Sequence, residues 1–292
     1  MKAEPFVRGL NFGEGVRWHG GRFWYSDFHQ HRVSSAAPDG STKVELEIDD
    51  QPSGLGWLPD GRLLVVAMIS QRLLRRETDG RAVLHADLKG LAKFHANDML
   101  VDRHGSAFIG CFGFDLDKFI AEKGPAALWA GDGPPTAPIM KVTPDGKASI
   151  ASPNHKFPNG MALIDGGKTL IVAECFLPGL TAFDLGDDGT LRNRRTWAQL
   201  STSPPSIVPD GICSDSEGAI WCANAVGPEV VRVGQGGKIL ERVETSQNAF
   251  SCALGGTDGR QLVIATAHNA NPEQGASEIR GMLETARVSV PA

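Results

Sequence analysis

No stretch of this 292-residue chain stays apolar for the roughly 20 residues a helix needs to cross a bilayer, so no membrane span is expected. Met1-Lys2-Ala3-Glu4-Pro5 lacks the apolar segment of a secretory signal. Basic residues are not in excess: 29 Lys and Arg against 34 Asp and Glu give a net charge of −5, which offers no footprint for nucleic acid. Runs of like charge that would form a tail are also missing. Cysteine is scarce, and the five present are odd in number and without CxxC spacing. This excludes a disulfide framework and points to reduced thiols in a cytoplasmic protein. Cys213 and Cys222 flank one turn and read as small buried apolar residues. Gly-rich phosphate loops and a G-x-S-x-G elbow are absent. A hydrolase built from this chain would therefore use metal-activated water rather than a serine or cysteine nucleophile.

Glycine and proline, in contrast, are plentiful. The 35 Gly and 18 Pro are spread along the chain with the turns, as many short strands require. They mark a six-fold repeat. Its segments begin Glu14-Gly-Val-Arg-Trp, Ser53-Gly-Leu-Gly-Trp, Asn97-Asp-Met-Leu-Val, Asn159-Gly-Met-Ala-Leu, Asp210-Gly-Ile-Cys-Ser and Ser251-Cys-Ala-Leu-Gly. Each is followed by a turn glycine: Gly21, Gly61, Gly105, Gly167, Gly218 and Gly259. A β-rich run follows every turn. Gaps between leading residues are 39 (14 to 53), 44 (53 to 97), 62 (97 to 159), 51 (159 to 210) and 41 (210 to 251), and most match a four-stranded blade of ~40–50 residues. The expected fold is all-β: one domain over residues 1–292, a six-bladed β-propeller with four-stranded blades around a central metal-binding channel. The long third gap carries an insertion over about 114–138, read as a lid or rim. Asp115 is the expected N-cap of two helical turns, and Gly131 to Pro138 is expected to be loop. Met282 to Val288 is expected to complete the last blade or close the ring.

In a propeller, one repeat position forms a ring around the axis. The leading column is polar in all six repeats, which packing alone does not produce. Glu14, Asn97, Asn159 and Asp210 supply two carboxylates and two amide oxygens. Hard oxygen donors of this kind suit Ca²⁺, Mg²⁺ or Mn²⁺. Without a cation, Glu14 and Asp210 would be close like charges in a low-dielectric channel. Pro209-Asp210-Gly211 and Pro158-Asn159-Gly160 are not hairpin turns, because their repeats already have turns at Asp215 to Gly218 and Asp165 to Gly167. Ser53 and Ser251 complete the ring. His95, two before Asn97, is a candidate substrate contact. So is Asp98, provided a bulge turns it toward the channel. Trp18 and Trp57 share a column and are expected to pack between blades. His29, His31, His155 and His268 have no metal spacing and read as surface or loop residues.

Several motifs, in order, resemble the SMP-30/gluconolactonase/luciferin-regenerating-enzyme family: Gly13-Glu14-Gly15 with Trp18, Asn97-Asp98, Phe157-Pro158-Asn159-Gly160-Met161-Ala162, Val208-Pro209-Asp210-Gly211-Ile212 and Cys252-Ala253-Leu254-Gly255-Gly256. The resemblance runs from about Gly13 to Val290. It implies a six-bladed propeller with one divalent cation held by Glu14, Asn97, Asn159 and Asp210, Ca²⁺ ahead of Mg²⁺, Mn²⁺, Zn²⁺ or Fe²⁺. It also implies hydrolysis of a small lactone or ester; a monomer or weak homo-oligomer with no nucleic-acid or membrane partner is expected. Asp210 is then the catalytic carboxylate that positions or deprotonates water, with Asp98 the alternative base. His95, Asn97, Asp98, Phe114 and Trp129 are the expected substrate contacts. Two departures stand out. Val16 stands where the family commonly has Pro, and His95-Ala96 replaces an Arg-Pro pair of sugar-lactone members. With Phe112, Phe114, Phe119 and Trp129 near the insertion, this favours a more apolar substrate. The rival readings are a metal-dependent phosphotriesterase and a non-catalytic propeller with a structural cation.

Overall fold

Turn chemistry sets the strand boundaries. In the computed structural model, which describes residues 1–131, 133–200, 206–268 and 276–292, all six turn glycines have φ between +69° and +86°. Only glycine adopts that region without strain. The leading segments become strands Gly13–His19, Pro52–Trp57, Ala96–Val101, Pro158–Ile164, Pro209–Ser214 and Asn248–Gly255. Each is the first strand of a four-stranded antiparallel sheet, and these six first strands lie side by side in a closed ring. The chain is a six-bladed β-propeller.

The C-terminal strand joins the last blade as expected, and the N-terminal strand completes that blade. Gly281–Arg287 is the third strand of the sixth blade, and its outermost strand is Glu4–Leu10, from the other end of the chain. Joining both ends in one sheet protects the edge of the last blade with backbone hydrogen bonds.

All six inner strands carry a bulge at or beside the leading residue. Register slips between Glu14 and Arg17, Pro52 and Leu55, Ala96 and Met99, Pro158 and Met161, Pro209 and Ile212, and Ala249 and Ser251. A bulge adds one residue against its partner strand and re-aims side chains, so strict alternation does not apply there. The residue after the leader is glycine in four repeats because the inner strands nearly touch. A Cβ on Gly54 would stand 2.3 Å from the Met99 nitrogen, and one on Gly160 would stand 2.4 Å from the Asp210 carbonyl oxygen.

The apolar core lies between blades. Blades 2 and 3 share Leu64, Val66, Met99, Ile109 and Met140, and blades 4 and 5 share Ile171, Leu180, Ile212 and Val231. Trp18 packs on Phe23 and against Gly255 of blade 6, and Trp57 stacks on His19 of blade 1, so both tryptophans fill blade junctions. The insertion forms a helix, Leu116–Lys123, whose N-cap Asp115 accepts a hydrogen bond from the Lys118 N–H, and then a short 3₁₀ turn, Pro125–Leu128. The next strand begins at Ala137. Asp132, within the Gly131–Pro138 stretch, lies outside the described residues. Among the described residues, no helix is long and apolar enough to cross a membrane.

Candidate functional site

The bulges deliver the leading column to the axis. Glu14, Asn97, Asn159 and Asp210 are all buried, between 4% and 7% exposed, although each is polar. Their neighbours are arranged by hydrogen bonds. The Ser53 hydroxyl donates to Asn97 Oδ1 at 3.2 Å, and Ser251 Oγ accepts the Val16 N–H at 3.0 Å. Asn159 Nδ2 donates to Cys175 Sγ at 3.4 Å, while that thiol donates to the Pro209 carbonyl at 3.1 Å. The Gly15 N–H donates to Glu14 Oε2 at 2.9 Å.

Burial pushes the Glu14 carboxyl well above its ordinary value, and the charges of Asp210 and Asp98 push it further. Asp210 is likewise held well up, by burial first and then by Asp98, with Asn159 pulling the other way. Asp210 Oδ1 and Asp98 Oδ2 are buried oxygens without a hydrogen-bond partner among the described residues. Buried acceptors are normally satisfied, and a cluster of desolvated acids needs a counter-charge. Two carboxylates and two amides with orphaned, converging negative charge fit a hard divalent cation. Among the described residues no three His, Cys, Asp or Glu side chains form a metal-binding group by themselves, so the set depends on its amides.

Asp98 lies within the bulge between Ala96 and Met99 and is almost wholly buried. Its Oδ1 accepts from Arg17 Nη2 at 2.6 Å and from the Met99 N–H at 2.7 Å. Arg17 belongs to blade 1 and Asp98 to blade 3, so this ion pair passes over blade 2.

At the mouth a second column appears that the repeat pattern had not disclosed. At the end of the second strand in five blades, one N–H donates to the carbonyl two residues before the leader. The pairs are Phe28 to Phe12, Met68 to Gln51, Phe112 to His95, Cys175 to Phe157 and Ala225 to Val208. None of these ten side chains is an acid, lysine or arginine. Ring contacts run on from His95 through Phe112, Phe157 and Phe176 to Phe114 and Trp129 of the insertion, with centroid distances of 4.4–6.1 Å. His95 also stacks on Phe94 at 4.0 Å, and burial holds its imidazole below the ordinary value. Phe176 was missed from sequence. It follows Cys175, so tracing the second-strand ends would have found it.

One sequence expectation needs revision. His155 is not a surface or loop residue: it is fully buried in strand Ala148–His155, with Nε2 2.9 Å from Ser152 Oγ and Nδ1 3.0 Å from Glu174 Oε1. Cys222 is fully buried and Cys213 partly so, with the Cys252 thiol 4.0 Å from Cys213, and all five cysteines are free. An open surface cavity of about 1330 Å³ lies against the outer strands of blades 1 and 2, and no leading residue lines it.

Residues 12–268 match the family model described as "SMP-30/Gluconolactonase/LRE-like region". The regucalcin of Danio rerio is 27% identical over 175 residues, 59% of this chain, and the chain spans about half (54%) of that relative. Among solved structures, a gluconolactonase from Xanthomonas campestris superposes with a TM-score of 0.73 at 23% identity, covering 98% of this chain and 88% of that one. A calcium-binding regucalcin from Agrobacterium tumefaciens superposes with a TM-score of 0.78 at 20% identity, covering 100% and 96%.

Proposed function

Since the chain belongs to the SMP-30/Gluconolactonase/LRE-like family, we propose that it is a cytoplasmic lactonase that depends on one divalent cation, calcium first, held by Glu14, Asn97, Asn159 and Asp210. The observation that carries this reading is the pair of orphaned, buried carboxylate oxygens on the axis, Asp210 Oδ1 and Asp98 Oδ2, beside Glu14. When bound, such a cation supplies Lewis-acid polarisation of a carbonyl. The chain's own residues do the rest. Asp210 orients the attacking water and takes its proton at Oδ1. Asn97 and Asn159 position the reacting ester group. Asp98, pinned by Arg17, stands beside Asp210 and Glu14. His95, Phe114 and Trp129 meet the remainder of the substrate at the mouth.

The mouth also indicates the substrate class. Its two columns are apolar apart from Gln51, His95 and Cys175, and none of the ten residues is a lysine or arginine that would pair with a sugar acid. The favoured substrate is a lactone bearing an alkyl or aryl substituent. The test is a panel of alkyl, aryl and sugar lactones, assayed after chelation and after reloading with Ca²⁺, Mg²⁺, Mn²⁺, Zn²⁺ or Fe²⁺. Hydrolysis lost on chelation and restored by one cation, with apolar lactones preferred in kcat/KM, is the expected result. A reloaded protein that binds the cation yet opens no lactone would replace this reading with a non-catalytic binding propeller.

A further inference from the structure

Arg17 is a partly buried cation without a counterpart in the other repeats: its position, three after the leader, is Gly56, Leu100, Ala162, Cys213 and Leu254 elsewhere. Its side chain is 17% exposed, and it is fixed at three points. Nη1 donates to the Val16 carbonyl at 2.9 Å, and Nη2 donates to Asp98 Oδ1 at 2.6 Å and to the Met99 carbonyl at 2.7 Å. The close approach of blade 3 to blade 2, permitted by Gly54, brings those acceptors within reach. On its outer side Arg17 lines a cleft of about 400 Å³ with Trp18, Leu55, Trp57 and Val101. The guanidinium therefore stands between the leading residues and that cleft, at the end of the channel opposite the aromatic mouth.

The charges can be counted. When ionised, Glu14, Asp98 and Asp210 bring three negative charges and Arg17 one positive, a net −2. Asp98 acts on both other acids, and Arg17 acts on Glu14. We propose that Arg17 sets the charge of the axial site and closes its far end, matching the channel to a divalent rather than a trivalent cation. This rests on the metal site proposed above and goes beyond it by assigning the ion's charge preference to a residue that is not a ligand.

The test is a charge cycle read by binding, not turnover. Affinities for Ca²⁺ and Tb³⁺ are measured by calorimetry and terbium luminescence on metal-free protein. Arg17→Met leaves a net −3, and the Tb³⁺-to-Ca²⁺ affinity ratio should rise about ten- to thirtyfold, the scale of one extra charge pair at such separations in a partly screened interior. Asp98→Asn, with Arg17 kept, leaves −1 and should lower the ratio by a similar factor. The double variant returns to −2 and to the wild-type ratio. If Arg17→Met does not fold, the other two variants still decide the matter. Ratios that do not follow net charge in folded variants overturn this inference while leaving the metal site intact. A wild-type protein that binds neither ion overturns both.

Discussion

Glu14 and Asp210 are the two carboxylates among the leading residues, yet their surroundings give them different duties. Glu14 already accepts the Gly15 N–H, whereas Asp210 keeps a buried oxygen without a partner. An acceptor with no donor is the one available to a water proton. Asp210→Asn retains the shape and an oxygen donor but removes the base. With the protein saturated in calcium, its kcat should fall about 10²–10⁴-fold, the range for loss of a general base. Glu14→Gln removes the same charge and should chiefly weaken calcium affinity, with kcat recovering as calcium is raised. Metal titration of both variants followed by steady-state kinetics checks this. Recovery of wild-type kcat by saturated Asp210→Asn would confine Asp210 to ligation and direct attention to Asp98.

Between elements, a fully buried and heavily hydrogen-bonded acid is Glu174, at the end of a blade 4 strand. His155, Thr181, Arg194 and the Lys156 N–H all reach its carboxylate, tying the outer strand of blade 3 to blade 4. Burial alone would raise this carboxyl, but the His155 contact, with Thr181 and Lys156, outweighs it and holds it at about 2. A lowered carboxyl stabilises the fold above its ordinary value, and that stability is lost as pH falls toward 2. Glu174→Gln should therefore cost about 2–3 kcal/mol at pH 7. The difference from wild type should shrink below pH 4 and vanish near pH 2. Denaturant melts at several pH values test this, and a difference independent of pH would remove the network's electrostatic role. Such a network was not legible in the sequence, because His155 and Glu174 fall outside the repeated columns and meet only when two blades pack. The N-terminal strand was hidden for a related reason. Glu4–Leu10 has no hairpin turn to its partner, which lies at the far end of the chain. The inner strands were legible because turn glycines and polar leaders recur at fixed spacing. That Asp98 and Asn97 both reach the interior depends on a bulge, a backbone feature that alternation could allow for but not locate.

On the scale of the whole molecule, six inner strands converge on acids that repel one another, so the ring is stabilised by whatever neutralises them. In the metal-free protein, protonation is the alternative to a cation. The Glu14 and Asp210 carboxyls are held above their ordinary values by burial and neighbouring charge. The folded state then binds more protons than the unfolded state. Metal-free stability therefore falls as pH rises from the ordinary carboxylate range toward those raised values. A cation must displace these protons to bind, so its apparent affinity grows over the same interval. The gap between calcium-loaded and chelated melting temperatures should therefore widen from pH 5 to pH 8. At calcium one hundred times its Kd the stabilisation is about 2.7 kcal/mol, which for a chain of this size is roughly 5 °C. Taking the difference between loaded and chelated samples cancels Glu174 and other acids remote from the axis. Scanning calorimetry at fixed calcium excess provides the measurement, with Glu14→Gln/Asp210→Asn as the reference in which the gap should be small at every pH. A gap that stays constant from pH 5 to 8 in the wild-type protein would mean that calcium binds away from these acids, and that the propeller axis is neutralised by protons alone.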